Sequence, residues 1–220
     1  ESTLIDDDRE YGCAVVNIGS EITGLMIFGR GAVQHTSVFP FGGLHFTKDI
    51  AVGLRVSMQE AAKIKHDFGC VASFLMDDEE RQEVIEIVPV GRNETRALSK
   101  EILCDIMQPR AIELLQHIAQ EVAATQAQIP SGVVLTGGGA LARGMVEIGE
   151  QVFDAPTRVG FPDPNYLGGL SAQVASPDWA VACGLALSSM RTQVREQNLG
   201  GRSGAGRVTA WLENFREKFR

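Results

Sequence analysis

The stretch that most constrains this chain is Val133-Val134-Leu135-Thr136-Gly137-Gly138-Gly139-Ala140-Leu141-Ala142-Arg143-Gly144. A brief, β-branched apolar run is bounded by Pro130-Ser131-Gly132 on one side and three glycines on the other. It therefore reads as a buried strand. Leu141, Met145, Ile148 and Val152 follow at helical spacing. Glycine has no Cβ, so the backbone can turn sharply and lie close to a ligand. The helix that follows would point its free N–H groups and its positive dipole end at the same place. Strand, glycines and helix make a nucleotide-site geometry, and equally a tight strand-to-helix turn with nothing bound.

A second glycine turn lies near the start. Cys13 to Ile18 reads as a strand, Gly19-Ser20-Glu21 as a turn, and Leu25-Met26-Ile27-Phe28 as a returning strand. Such a hairpin can face a phosphate. Together the two stretches resemble the actin-like ATPase superfamily, with a phosphate hairpin followed much later by a strand-glycine-helix adenosine loop. Further segments narrow the resemblance: Phe39-Pro40-Phe41-Gly42-Gly43, Thr47-Lys48-Asp49-Ile50-Ala51, Glu60-Ala61-Ala62-Lys63-Ile64-Lys65, and Pro109-Arg110 within a long helical pattern. These are similar to the FtsA family of bacterial actin-like cell-division proteins. The similarity runs from about Tyr11 to about Met190 and resumes in the last residues.

The resemblance implies an α/β actin-like (ribonuclease H-like) lobe. Its inner subdomain would be built from about 10–45 and 130–190, and its outer subdomain from about 46–129. The implied nucleotide residues are Asn17, Gly19, Ser20 and Thr23 in the hairpin, Glu60 and Lys63 on the helix bordering the adenosine, and Gly137, Gly138 and Gly139. The bland reading of Glu60 and Lys63 is a solvated helix face. In the FtsA family the hairpin usually reads Asp-Ile-Gly-Gly-Gly-Thr-Thr-Asp. Here neutral Asn17 takes the place of the first carboxylate, and Glu21 brings a negative charge to the turn. At about 5 Å and an effective dielectric of about 20, Glu21 would repel each phosphate charge by roughly 3 kcal/mol unless it points outward. The superfamily's other lobe, with its own phosphate loop, is not encoded ahead of Tyr11. The resemblance thus implies ATP with Mg²⁺ for a two-lobed protein, and no hydrolysis by this chain alone. It also implies binding of the FtsZ C-terminal peptide through the outer subdomain, self-association into actin-like polymers and contact with other division proteins.

Composition sets outer limits. A length of 220 residues allows one or two domains with real cores. A formal charge of −8 argues against general nucleic-acid binding. Cys13, Cys70, Cys104 and Cys183 are scattered without metal-ligand spacing and read as reduced, buried thiols of a cytoplasmic protein. No apolar run is long enough to span a bilayer. The chain begins with Glu1 and carries no signal peptide, so a longer or trimmed protein is expected.

Along the chain, Glu1–Glu10 reads as a loose acidic lead-in and Tyr11–Phe41 as a three-stranded meander. Phe46–Leu54 reads as a short helix, and Ser57 opens a capping box with Glu60 for the next one. Phe74–Glu83 reads as an exposed acidic stretch and Val84–Val90 as a strand. Ser99 should cap a long helical pattern that Pro109 should kink or split. Thr157–Gly160 reads as a strand and Trp179–Met190 as a helix, ahead of a glycine-rich linker over about 191–207.

The last segment, 208–220, places Val208, Trp211, Leu212, Phe215 and Phe219 within an arc of about 100° on a helix. Thirteen such residues span only about 20 Å, too short for a bilayer. Two readings remain: a helix lying in a membrane surface, or one docked on the protein's own core. The glycine tether favours the first, and the FtsA family ends in such a helix. The implied role is to tether the FtsZ ring to the cytoplasmic face of the inner membrane at the division septum. Two rivals share the glycine loops. A sugar- or acetate-kinase-like phosphotransferase would need a carboxylate near the hairpin. A PilM-type pilus-assembly adaptor would lack the tethered helix.

Overall fold

A computed structural model describes residues 2–91, 94–166 and 173–199. The membrane-binding residues expected at Val208, Trp211, Leu212, Phe215 and Phe219, and residues 200–207 of the expected linker, lie outside the described residues.

The centre of the molecule is a five-stranded mixed sheet in the order β3-β2-β1-β6-β7. It comprises β1 (Cys13–Ile18), β2 (Thr23–Gly29), β3 (Ala32–Phe39), β6 (Val133–Thr136) and β7 (Thr157–Val159). The first three form the expected antiparallel meander, while β6 joins β1 in parallel and β7 joins β6 in parallel. Four consecutive buried residues in β6 agree with a strand covered on both faces. Alternation along β1 separates two packing layers. Ala14, Val16 and Ile18 enter the main core, and Cys13 packs on the other face with Leu4, Phe28 and Val134.

The main core is roofed by α2 (Gly43–Leu54), α3 (Met58–Phe68), α5 (Lys100–Thr125) and α6 (Met145–Phe153). A separate hairpin pairs β4 (Val84–Ile87) with β5 (Arg96–Ser99). The opposite face carries α7 (Ala180–Leu199) and the chain start, joined by the Ser2 hydroxyl donating to the Ala180 carbonyl at 2.7 Å.

Several expectations are corrected. Pro109 does not split α5, which is one helix of 26 residues. One lost backbone bond is outweighed by eight buried side chains, from Leu103, Cys104 and Met107 before the proline to Val122 after it. Ser99 makes no side-chain cap. It ends β5, and the first free N–H of the helix, on Lys100, donates instead to the Glu83 carbonyl at 2.9 Å. The acidic lead-in is docked rather than loose: α1 (Asp6–Tyr11) puts Asp8 in a buried position, where its carboxylate accepts from Arg158 at 2.6 Å. The acidic stretch contains α4 (Asp78–Gln82), capped by Asp77 accepting from the Glu80 N–H at 2.8 Å. Three carboxylates in that first turn suit the positive helix end. Helix α7 continues nine residues beyond Met190. Ser57 does cap α3, accepting from the Glu60 N–H at 3.2 Å.

Candidate functional site

The parallel register of β1 and β6 sets Asn17 opposite Thr136, so the hairpin turn and the triple-glycine loop leave the same edge of neighbouring strands. Beyond the carboxyl ends of parallel strands is where open α/β sheets hold ligands. A cavity of about 490 Å³ lies there, lined by Gly19 and Ser20 from the hairpin and by Gly138, Gly139, Leu141 and Ala142 from the loop. Gly43 and Phe46 of α2, Lys65 and His66 of α3, Gly69 just past α3, Met107 of α5 and Asp178 complete the wall. The volume suits a nucleotide-sized ligand.

The three glycines have different tasks. Gly137 has φ +83°, and a Cβ there would come within 2.5 Å of the Ile18 carbonyl oxygen. A Cβ on Gly139 would stand 2.3 Å from Ile18 Cγ2. Both let the loop close onto the end of β1. A Cβ on Gly138 would meet nothing within 4 Å, so this residue faces the open cavity. The loop is held from outside as well: the Gly137 N–H and the Thr136 hydroxyl both donate to the Pro177 carbonyl at 3.0 Å. That contact carries Asp178 to the cavity. The glycines do not lead straight into a helix. Gly138–Leu141 forms a single 3₁₀ turn, and α6 starts only at Met145. The helix N-terminus is therefore set back from the glycines, and Leu141 is exposed rather than on the helix's core face.

The hairpin turn docks on α2. Gly43 N–H donates to the Gly19 carbonyl at 2.9 Å and Leu44 N–H to the Ser20 carbonyl at 2.7 Å. Lys65 of α3 braces the first turn of α2, donating to the Gly43 carbonyl and to Thr47 Oγ1, both at 2.9 Å. Burial lowers the pKa of this ammonium below its ordinary value. The segments that carried the family resemblance also meet in space. Arg110 donates through Nε to Asp49 Oδ2 at 2.6 Å and through Nη2 to Oδ1 at 3.2 Å, a two-point pair binding α5 to α2. Arg143, just past the loop, pairs with Glu80 and holds that carboxyl below its usual range.

Of the residues expected from sequence, Gly19, Ser20, Gly138 and Gly139 come together around the cavity. Gly137 sits behind them. Asn17 lies on the α7 side of β1, lining a separate apolar groove. Thr23 is buried and donates its hydroxyl to the Phe41 carbonyl at 2.8 Å. Glu60 and Lys63 are on α3, outside the cavity lining, with Lys63 exposed. Glu21 is exposed and does not line the cavity. Sequence reading missed Lys65, His66, Met107 and Asp178. The signal for Lys65 was available: it stands in the last full turn of a helix whose capped start was legible. Asp178 is the one carboxylate in the lining, which it shares with a cation and a histidine. That donor set suits an anionic ligand and does not fit a divalent cation held by side chains of this lobe alone.

Comparison with known proteins adds four findings. The family model described as "Cell division protein FtsA" matches residues 14–184. "Cell division protein FtsA" of Neisseria meningitidis serogroup B is 33% identical over 97% of this chain and 53% of its own length. The chain thus spans about half the length of that curated relative. Among solved structures, MreB5 of Spiroplasma citri bound to ADP superimposes with a TM-score of 0.66 over 90% of this chain and 58% of its own, at 17% identity. A PilM–PilN type IV pilus biogenesis complex matches with a TM-score of 0.59 over 83% of this chain and 47% of its own, at 21% identity. At those identities the two structures establish the actin-like fold alone.

Proposed function

Because the chain belongs to the FtsA family of cell-division proteins, we propose that it is the nucleotide-binding C-terminal lobe of a protein that tethers the FtsZ ring to the cytoplasmic face of the inner membrane. The observation that carries this reading is the cavity between the hairpin turn and the triple-glycine loop, with Gly138 open to it. A neighbour of the same fold is bound to ADP. The lobe binds adenine nucleotide without hydrolysing it by itself, since Asn17 is no base and the lining offers a single carboxylate. The PilM-type reading rests on fold likeness alone, whereas the FtsA model covers most of the chain. The phosphotransferase reading is left with neutral Asn17 in place of the hairpin's first carboxylate, and Glu21 is exposed and off the cavity wall.

The outer subdomain receives the FtsZ C-terminal peptide, the lobe self-associates into actin-like polymers and contacts other division proteins, and the segment 208–220 lies on lipid at the septum. Burial of Trp211, Leu212, Phe215 and Phe219 supplies up to about 1.5–3 kcal/mol each before the cost of ordering and shallow insertion. Arg207, Arg216, Lys218 and Arg220 add roughly 1 kcal/mol each near anionic lipid, partly offset by Glu213 and Glu217. Among the described residues no helix is long and apolar enough to cross a membrane. The test is co-sedimentation of a labelled FtsZ C-terminal peptide with anionic liposomes. The chain should carry the peptide down, and Trp211→Glu should abolish this by placing a charge in the middle of the apolar face. Sedimentation that is the same with Trp211→Glu, or with a truncation before Arg207, sinks the tether.

A further inference from the structure

The cysteines, scattered in the sequence, do not all stay scattered in the fold. Cys70 and Cys104 meet in a small buried cluster whose third member is Met76. Neither is in a disulfide. Cys70 follows α3 and forms a single parallel bridge with Arg143, while Cys104 lies near the start of α5. The Cys104 thiol donates a hydrogen bond to the Cys70 sulfur, which lowers the pKa of Cys70 and raises that of Cys104. Arg143 and Lys100 lower that of Cys70 further, against the opposing effect of burial. The segment that carries Cys70 and Met76 has one 3₁₀ turn, Ser73–Leu75, and is fastened by side chains. Arg81 donates to the Ser73 and Met76 carbonyls at 3.0 and 3.2 Å, and the Ser73 N–H donates to Gln108 Oε1 at 2.9 Å. Gly69 and Met107 line the cavity, and a Cβ on Gly69 would stand 3.1 Å from Met107 Cε. Cys70 is next to the first and Cys104 is one helical turn before the second, so the thiol pair lies behind the cavity wall. A thiolate favoured by nearby cations, with a second thiol in contact, is the arrangement of a pair that oxidises to a disulfide.

We propose that Cys70 and Cys104 are a peroxide-sensitive pair, with Cys70 the attacking and Cys104 the resolving thiol, whose disulfide ties the segment after α3 to α5. The Cys70 thiolate attacks one oxygen of hydrogen peroxide and breaks the O–O bond, giving a sulfenic acid and hydroxide. The hydroxide takes up the proton that Cys70 had released and becomes water. The Cys104 sulfur then attacks the Cys70 sulfur. The S–S bond forms, and the displaced hydroxyl leaves as a second water with the Cys104 proton. Two electrons pass from the two thiols to the peroxide. At 1% and 0% exposure the pair is closed to bulky thiol reagents, which selects for a small oxidant. Burial pushes the Cys13 and Cys183 thiols up, so they serve as internal controls. The inference does not depend on the nucleotide reading of the cavity.

The experiment is treatment of the reduced full chain with hydrogen peroxide, followed by mass spectrometry of the intact chain and of its peptides after alkylation in denaturant. The wild type should lose the mass of two hydrogens and give a peptide linking Cys70 to Cys104. Cys13 and Cys183 should still alkylate, reacting at least about 10-fold more slowly with peroxide. The bridge should raise the unfolding temperature by roughly 5–10 °C, and dithiothreitol should reverse the rise. Cys104→Ser should stop at a sulfenic acid on Cys70, trapped by dimedone, and Cys70→Ser should leave Cys104 a thiol. The wild-type peptide map decides by itself if either variant fails to fold. A linkage between any other two cysteines, equal oxidation of all four, or no bridge before the chain unfolds overturns the pair. A sulfenic acid on Cys70 of the wild type that never becomes a disulfide overturns the resolving role of Cys104. A bridge that leaves the unfolding temperature unchanged overturns the tie.

Discussion

The hairpin turn and the triple-glycine loop face one cavity from neighbouring strands, yet they are held in different ways. The loop is fixed by the absence of side chains. Gly137 and Gly139 press directly against Ile18, and a single carbonyl, that of Pro177, ties the loop from behind. The hairpin is fixed by what α2 brings to it: two backbone N–H groups and, one layer further out, the Lys65 bonds to Gly43 and Thr47 and the Arg110–Asp49 pair that hold α2 itself. A loop built on close contact tolerates almost no change at its contact points. A turn held through its backbone carbonyls can change its own side chains and keep its place. This is a physical reason why the three glycines stand intact here while Ser20 and Glu21 replace glycines of the FtsA pattern.

The strongest way to break the comparison is Gly137→Ala. The backbone at φ +83° disfavours an L-residue, and the Cβ would collide with the Ile18 carbonyl. Strain and overpacking together should cost about 2–4 kcal/mol, read as a lower urea midpoint at unchanged slope. A loss under about 0.5 kcal/mol would mean that the loop does not depend on this approach.

Asp49→Asn should act next most strongly, and on the hairpin side. It keeps the shape but removes the charge that Arg110 grips at two points. Both side chains are about a third exposed, 31% and 30%, so water screens much of the pair and the expected cost is about 1 kcal/mol. The same urea titration checks it. A cost as large as that of Gly137→Ala would place the two regions under one rule.

The two regions also differ in how well the sequence reveals them. The meander β1–β3, strand β6 and helix α3 follow from local pattern: alternation, a β-branched run between turn signals, and a Ser57 cap. The glycine loop announces itself because its contacts are made by backbone that only glycine permits. The hairpin's supports are spread over the chain. Lys65 matters because α3 ends beside the first turn of α2, and Arg110 because α5 crosses α2, and no window of sequence contains either meeting. Short elements were lost for a related reason. In β5 only Leu98 is buried, too little to set a period, and α4 is five residues of mostly exposed charge. Pro109 misled because a local penalty was weighed without the long buried face that overrides it.

Gly138→Ala separates ligand contact from packing within the loop itself. With nothing within 4 Å of the added Cβ, stability should stay within about 0.5 kcal/mol of wild type. ADP affinity should fall about 3- to 10-fold, because a methyl group holds a flat ligand off the backbone. Calorimetry and thermal unfolding read the two effects separately. A stability loss matching that of Gly137→Ala would mean that all three glycines serve packing alone.

The smallest effect is expected from Glu21→Gly, the change that restores the glycine of the FtsA pattern. Were Glu21 aimed into the cavity, its repulsion of a phosphate at about 5 Å would reach roughly 3 kcal/mol at an effective dielectric of about 20, well over 100-fold in affinity. It is instead exposed and absent from the cavity wall. With water around it the same separation gives about 0.8 kcal/mol, and physiological salt, with a Debye length of about 8 Å, reduces that further. Removing the charge should therefore tighten ADP binding by no more than about 3-fold, and the gain should shrink as salt is raised. The added glycine also loosens the turn before binding, which works against even this gain. A tightening beyond about 10-fold that persists at high salt would mean that Glu21 meets the phosphates directly. The hairpin would then be a damaged phosphate turn, and the hydrogen bonds from α2 would hold it in position without compensating for the charge.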